Sequence, residues 1–239
     1  MGRAFEYRKA RKLKRWGHMA RVFTKIGKEI TIAVKEGGGD PASNSKLRDL
    51  IQKAKANNVP NDNIERCIKK ALGSTGETYE EVSYEGYGPA GIAVLVTATT
   101  DNRNRTAGNV RHHFDKYGGN LGANGCVSWS FDKKGVLVID NEDGDYEEDQ
   151  VMMDAMDCGA DDFEADGDVF TVYTTPDDFN AVADALAAKK YSFVSAQIEM
   201  VPQNYVKLSA EDAEKMEKML ELFDDDDDVQ NTWHNWDQD

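Results

Sequence analysis

The first residues that suggest phosphate chemistry form a glycine motif. Gly86-Tyr87-Gly88-Pro89-Ala90-Gly91 satisfies the pattern G-x-G-x-x-G. In a dinucleotide-binding fold this pattern follows a strand and opens a helix, whose amino end holds the pyrophosphate. Here the β-rich run Ile92–Val96 indicates that a strand follows instead. The motif therefore predicts a tight connection between two strands, and we expect no nucleotide cofactor.

Histidines, cysteines and acidic clusters show no spacing typical of catalysis or metal binding. His112 and His113 are adjacent, so on a helix they point about 100° apart and do not share one metal ion. The three cysteines are odd in number and widely spaced, without a C-x-x-C pair. If Gly144 were the glycine of a calcium loop, Ile139 would occupy the first ligand position. We expect no catalytic residue, no metal ligand and no cofactor.

Positive charge is concentrated in the amino-terminal third of the chain. The whole sequence holds 29 Lys and Arg against 44 Asp and Glu, a formal charge of −15. Residues 1–72 hold 18 of those cations and 7 of those acids, so this part carries +11 and the remainder −26. Such asymmetry is typical of a module that binds nucleic acid, joined to acidic domains.

The candidate nucleic-acid contacts are therefore cationic side chains. Lysine and arginine neutralise phosphates and release counterions, which gives binding without reading the base sequence. The alternative is a solvated cationic surface with no ligand. The candidates are Arg8, Lys9, Arg11, Lys12, Lys14, Arg15, Arg21, Lys25, Lys28, Arg66, Lys69 and Lys70 in the basic part, with Arg103 and Arg105 farther along.

Two interpretations remain open for the segment around Arg103 and Arg105. The arginines could extend the cationic surface, or they could pair with neighbouring acids while Asp101 or Asn102 caps a helix. An enzymatic or small-molecule-sensing role would instead need a pocket lined by Asp101, Arg103 and His112.

Helical periodicity predicts a three-helix domain in the basic part. Apolar residues from Val22 to Val34 recur at helical spacing, and the cations of this segment fall on another face. The glycines and proline of 37–41 end that helix. A second helix spans Leu47–Ala54, and Asp62 with Glu65 resembles a capping box that opens a third.

After residue 78 the pattern changes to short β-rich runs. Strands are predicted at Val82–Tyr84, Ile92–Val96 and Cys126–Phe131, with a helix at 106–117. Residues 135–202 follow the order β-α-β-β-α-β of a ferredoxin-like unit, with helices opened near Asp145 and Thr175 and a hairpin across Gly167. A last helix capped by Ser209 and a strand at 229–236 complete the chain.

These elements predict an α+β fold with three domains: an amino-terminal three-helix domain and two ferredoxin-like α/β domains, one inserted in the other. The predicted boundaries are 1–78 for the basic helical domain, 79–134 with 203–239 for a discontinuous middle domain, and 135–202 for the inserted domain.

Several blocks of the sequence resemble the YebC/PmpR family. They are VFTKIGKEITIAVKEGGGDPASNSKLRDLIQKAKANNVPNDNIERCIKKALG (22–73), YEGYGPAGIAVLV (84–96) and TDNRNRTAGNVRHHFDKYGGNLGANGCVSWSFDKKG (100–135). The resemblance implies three domains and a non-enzymatic, nucleic-acid-associated role. In the basic leader, Arg3 to Arg15, the usual G-H-S-K-W block of the family is replaced by Gly2-Arg3-Ala4-Phe5-Glu6-Tyr7, and Ala90 stands where glycine is common.

The resemblance and the charge together lead to two expectations about function. The first is a DNA-binding transcriptional regulator, and the second is a translation factor that binds ribosomal RNA or the ribosome, as mitochondrial relatives activate translation. The acidic domains would contact a protein partner or exclude other polyanions. No membrane span and no secretory signal is encoded, so we expect a cytoplasmic protein. We also expect a monomer.

Overall fold

A computed structural model describes residues 17–73 and 78–238 of the chain, with residues 17–21 described as backbone alone. Its described part is α+β, with seven α-helices and two four-stranded antiparallel sheets. The expected fold class, a helical domain followed by two α/β domains, is confirmed. None of the described helices is long and apolar enough to cross a membrane.

The amino-terminal domain consists of three helices around one apolar core. They are α1 (Gly17–Gly37), α2 (Ser45–Ala56) and α3 (Asn61–Leu72). The side chain of Asn44, which is buried, joins the first two: its Oδ1 accepts the N–H of Leu47, and its amide donates to the carbonyls of Ala33 and Gly38. The core residues are Ile26, Ile30, Ala33, Val34, Leu47, Ala54, Val59, Ile64 and Ala71.

The capping box expected at Asp62 and Glu65 is wrong. The third helix begins at Asn61, after Pro60, and no side chain caps it. Pro60 is extended, with φ −59° and ψ 139°, and its carbonyl accepts the N–H groups of Asn63 and Ile64. The proline therefore starts this helix, because its fixed φ suits a helix entrance.

The first sheet combines strands from distant parts of the chain. Its strands are β1 (Glu80–Tyr87), β2 (Ala93–Thr100), β3 (Asn120–Leu121) and β9 (Val229–His234), in the order β3-β1-β2-β9. Helices α4 (Arg103–Lys116) and α7 (Ala210–Asp225) belong to the same part, and the rings of Phe114 and Phe223 meet at 5.2 Å. The fourth strand of this sheet is therefore supplied by residues after 208, which return to pair with β2.

The second sheet belongs to the ferredoxin-like segment. Its elements are β4 (Phe131–Asp140), α5 (Glu148–Asp157), β5 (Asp162–Asp166), β6 (Val169–Thr174), α6 (Phe179–Ala188) and β7 (Phe193–Pro202). The strand order β5-β6-β4-β7 places the first and third strands of the segment in the middle. The predicted order β-α-β-β-α-β is confirmed, although α5 and α6 begin three to four residues after Asp145 and Thr175. A short parallel pair, β8 (Val206–Lys207) with β10 (Trp236–Asp237), lies outside this sheet.

The strand expected at Cys126–Phe131 is wrong over most of its length. Residues Ser128–Ser130 form one turn of 3-10 helix, and the strand begins only at Phe131. The buried carboxylate of Glu85 accepts the N–H groups of Gly125, Val127 and Ser128 at 2.7–2.9 Å. Burial raises the pKa of Glu85, but these three hydrogen bonds outweigh it and hold the pKa below its usual value. Two of the predicted strand's donors are therefore committed to a side chain.

The described residues pack into two compact units. One contains residues 17–128 with 208–234, and the other contains 129–207 with 235–238. The three-helix domain thus shares a unit with the first sheet. The boundaries 1–78, 79–134 with 203–239, and 135–202 stay a prediction about which segments fold independently.

The glycine motif forms the tight connection between β1 and β2 that the sequence predicts. The N–H of Gly88 donates to the carbonyl of Ile92 at 2.7 Å. Ala90 adopts the left-handed conformation, with φ 52° and ψ 24°, and its side chain is exposed. A residue with a Cβ atom is strained in this conformation, and glycine is not.

Replacing Ala90 by Gly should raise the free energy of unfolding by roughly 0.5–1 kcal/mol, because the left-handed strain is relieved and the exposed methyl group packs against little. Urea denaturation followed by circular dichroism measures the change. The control is Ala107→Gly within α4, which should destabilise by about 1 kcal/mol because glycine disfavours a helix. A loss of stability in Ala90→Gly would contradict the strain argument.

Candidate nucleic-acid interface

The predicted cationic contacts fall in four places. Arg8, Lys9, Arg11, Lys12, Lys14 and Arg15 lie outside the described residues, as does the side chain of Arg21. Lys25 and Lys28 lie on α1, and Arg103 and Arg105 lie on the first turn of α4. Arg66, Lys69 and Lys70 lie on α3. The environments of these groups differ sharply.

The two lysines of α1 contact an acidic segment that we define as Asp224–Asp228. Lys25 Nζ donates to the carbonyl of Asp224 at 3.0 Å. Lys28 Nζ donates to the carbonyl of Asp227 at 2.8 Å and to the carboxylate of Asp228 at 2.7 Å. Only 13% and 12% of the two lysine side chains are exposed. Both predicted phosphate contacts are therefore already engaged within the protein.

Asp228 is the centre of this contact. Its side chain is 7% exposed and also accepts hydrogen bonds from Arg105 Nη2 at 2.7 Å and Thr106 Oγ1 at 2.8 Å. Burial raises the pKa of Asp228, but the hydrogen bonds from Arg105, Lys28 and Thr106 outweigh that effect and bring the pKa to about 2. The carboxylate is therefore ionised at neutral pH and holds α1 and α4 together.

The arginines of α4 adopt the paired arrangement that the sequence left open. Asn102 caps the helix, since its side chain accepts the N–H of Arg105 at 3.1 Å. Arg105 binds Asp101 as well as Asp228, each at 2.7 Å, while Arg103 lies 3.6 Å from Glu80. Arg105 is thus a partner of the acidic segment, and Arg103 remains 65% exposed.

A histidine binds the same acidic segment. His113 Nε2 lies 3.1 Å from Asp226 Oδ2, and the imidazole ring meets Phe223 edge to face at 5.4 Å. Burial raises the pKa of Asp226, but the contacts with His113 and with the N–H of Asp228 hold that pKa below its usual value. The acidic segment therefore has partners on both α1 and α4.

An open cleft of about 540 Å³ lies beside these contacts, lined by Lys28, Arg105, His113 and the carboxylates of residues 225–228. Its mixed charge does not suit a phosphate. The pocket that an enzymatic role would need is not formed by Asp101, Arg103 and His112, which are all exposed. Within the described part of the chain, no group of three or more His, Cys, Asp or Glu is arranged to hold a metal ion.

The outer faces of α2 and α3 carry cations of a different kind. Arg66, Lys69 and Lys70 are exposed along one side of α3, opposite the buried Ile64 and Ala71. Lys69 forms an exposed ion pair with Glu65 at 3.6 Å, which contributes little stability. Arg66 forms no ion pair with any described residue, so its guanidinium group faces solvent.

Two further cations were missed at the sequence level. Arg48 and Lys55 are exposed on α2, two turns apart, and neither forms an ion pair with a described residue. Each directly follows a buried residue, Leu47 or Ala54, and their spacing of seven residues, which places both on one side of the helix, was the signal that identifies them. They add a second exposed cationic stripe to the helical domain.

Two family models and several named proteins are similar to this chain. A model of the TACO1/YebC N-terminal domain matches residues 3–74, and a model of the TACO1/YebC second and third domain matches residues 79–236. A "probable transcriptional regulatory protein" of Acetivibrio thermocellus is 55% identical over 230 residues, covering 95% of each chain. One of Clostridium tetani is 50% identical over 227 residues, covering 95% of this chain and 92% of that one.

A solved structure is also similar. The crystal structure of a conserved hypothetical protein from Aquifex aeolicus aligns with a TM-score of 0.83 and 41% identity, over 91% of this chain and 90% of that one. The resemblance found in the sequence blocks is thereby confirmed.

Replacing Asp228 by Asn should lower the free energy of unfolding at pH 7 by about 2–3 kcal/mol, because Lys28 and Arg105 lose a buried ionised partner. Thermal or urea unfolding measures the loss. Asp227→Asn is the matched control, since it removes the same charge from an exposed neighbour whose carbonyl bond to Lys28 remains; its change should stay within about 0.5 kcal/mol. Equal losses in both variants would contradict the role of Asp228.

The contribution of Asp228 should also depend on pH. Its pKa is about 2 in the folded protein against an ordinary value of 3.8, so its stabilisation is present above pH 4 and is lost as the pH falls toward 2. The shift corresponds to roughly 2 kcal/mol. The stability difference between the natural chain and Asp228→Asn should therefore shrink between pH 5 and pH 2. A stability difference that stays constant over this range would show that these contacts do not lower the pKa of Asp228.

Proposed function

The chain belongs to the TACO1/YebC family, and from that premise we propose that it is a non-enzymatic regulator of gene expression that binds duplex DNA through its helical domain. Its close relatives carry the name of probable transcriptional regulatory proteins. We place this action in the cytoplasm, with the protein acting as a monomer.

The observation that carries the proposal is the exposed cationic surface of α2 and α3. We use the name α2–α3 face for two exposed sets of cations, Arg48 with Lys55 on α2 and Arg66, Lys69 and Lys70 on α3. Long cationic side chains on a helix surface reach phosphates and release counterions. Nothing in their placement provides a set of groups that read base edges, so the expected binding is to the backbone of the duplex.

The contacts of α1 limit how the helical domain meets a phosphate. Lys25 and Lys28 are held by Asp224, Asp227 and Asp228. A phosphate at these lysines would have to displace the carbonyls of Asp224 and Asp227 and the buried carboxylate of Asp228. The α2–α3 face, together with the cations of residues 3–15, therefore supports the proposed binding better than α1 does.

The charge of the remaining domains acts against tight binding. The chain after residue 72 carries −26, so duplex DNA is repelled from it at distances within the Debye length of about 8–10 Å. Binding should therefore be modest and strongly dependent on salt, with the helical domain oriented toward the duplex.

Reversing two charges of the α2–α3 face tests the proposal. Arg66→Glu with Lys69→Glu should weaken binding of a duplex at least about tenfold. It should also reduce the slope of log affinity against log salt by about two, because each of the two cations neutralises one phosphate. Fluorescence anisotropy of a labelled duplex over a range of salt concentrations measures both quantities.

Lys133→Glu with Lys190→Glu is the matched control, because it makes the same change of net charge at exposed positions of the other unit. Its affinity should fall far less. Unchanged affinity and slope in the α3 variant would contradict the interface. If the protein instead sediments with ribosomes and leaves duplex DNA unshifted at physiological salt, the DNA target is wrong and the ribosomal one is favoured.

A further inference from the structure

A long acidic stretch of sequence forms most of the second sheet and its helices. Residues 135–188 contain 17 Asp and Glu and no Lys or Arg. This segment comprises most of β4, both helices of the sheet and the hairpin β5–β6. A surface of this charge repels nucleic acid and anionic membranes and attracts cations. Any macromolecule that binds here should therefore be basic.

Within these acidic surroundings one helix exposes an apolar face. We define the methionine face as Met152, Met153 and Met156 of α5, whose residues are 42%, 52% and 49% exposed. Met152 and Met153 precede Met156 by four and three residues, so all three lie within about 100° of the helix circumference. The opposite side buries Val151 and Ala155 in the core of the sheet.

Carboxylates flank the methionine face at both ends. Asp149 lies one turn before Met153 and Asp157 one turn after it, and both are exposed. Another acid of the helix, Asp154, is engaged elsewhere, since it accepts hydrogen bonds from Lys189 at 2.5 Å and Tyr191 at 2.6 Å. Those bonds hold α5 in place, which leaves Asp149 and Asp157 to meet a ligand.

We propose that the methionine face of α5 docks a lysine- and arginine-rich amphipathic helix of a separate protein. The apolar side of such a helix would cover the three methionines, whose flexible thioether side chains adapt to the shape of the partner. Its cations would lie against Asp149 and Asp157 and in the electrostatic field of the acidic stretch 135–188. The combination of exposed methionine and surrounding carboxylates selects this partner chemistry by charge complementarity.

The proposal can be tested on the full chain with a defined probe. The probe is a synthetic Leu/Lys peptide of about 18 residues with its leucines at helical spacing, long enough to form a helix on binding. Methyl NMR of the protein labelled at methionine Cε should show shifts for Met152, Met153 and Met156 as the peptide is added. The methyls of Met216 and Met219, which are fully buried, should not shift.

A triple variant measures how much the apolar contact contributes to peptide affinity. Met152→Gln with Met153→Gln and Met156→Gln should weaken the peptide at least about tenfold by calorimetry, because the apolar area is removed while the helix propensity is kept. Val194→Gln with Val206→Gln is the matched control, since both valines are exposed in the same unit but outside α5. Its affinity should equal that of the natural chain.

Two binding results would overturn the proposal: equal binding of a scrambled Leu/Lys peptide of the same composition, or unchanged peptide affinity in the triple variant. Two results without peptide would also overturn it: methyl shifts that depend on protein concentration, or methyl shifts caused by removing residues 1–15. The last two would identify a second copy or the chain's own leader as the occupant. The outcome is separable from the proposed DNA binding, because Arg66→Glu with Lys69→Glu should leave the peptide affinity unchanged.

Discussion

One ionised carboxylate organises the larger unit of this protein. A buried charge is costly unless every lone pair finds a partner, and Asp228 finds Lys28 on α1 and Arg105 and Thr106 on α4. Its own carbonyl accepts the N–H of Thr99 on β2. The requirement to satisfy this one group therefore ties the three-helix domain to the first sheet. It also decides which cations remain at the surface, since those that neutralise Asp228 are no longer available to a phosphate.

The net charge of the chain acquires a structural meaning from that contact. The +11 of the amino-terminal part and the −26 of the remainder are not both fully available to partners in solution. Part of the positive charge of α1 is neutralised internally by the acidic segment Asp224–Asp228. Among the described residues, the α2–α3 face of one unit and the acidic stretch 135–188 of the other are exposed to solvent. The partners that we propose for these two surfaces carry opposite charge, so each surface would repel the partner of the other.

The two proposed binding surfaces lie on different units of the protein. The methionine face lies among carboxylates, and the cations of α2 and α3 lie on helices whose apolar residues pack in the helical core. A regulator that touches nucleic acid through one unit and a basic protein through the other would join the two in one assembly. The joint binding of two partners would add selectivity that phosphate contacts by themselves do not provide.

Local patterns in the sequence determined the helices, the β5–β6 hairpin, the α+β class and the separation of charge, because these depend on neighbours within one or two turns of chain. Tertiary structure decided the rest. Lys25 and Lys28 look like phosphate ligands on a helical wheel, yet their partners lie 199 and 200 residues away. Glu85 likewise removes the predicted strand at Cys126 by taking N–H groups some 40 residues ahead. Periodicity describes which face of an element is polar; only long-range contacts decide whether that face meets solvent or a buried carboxylate.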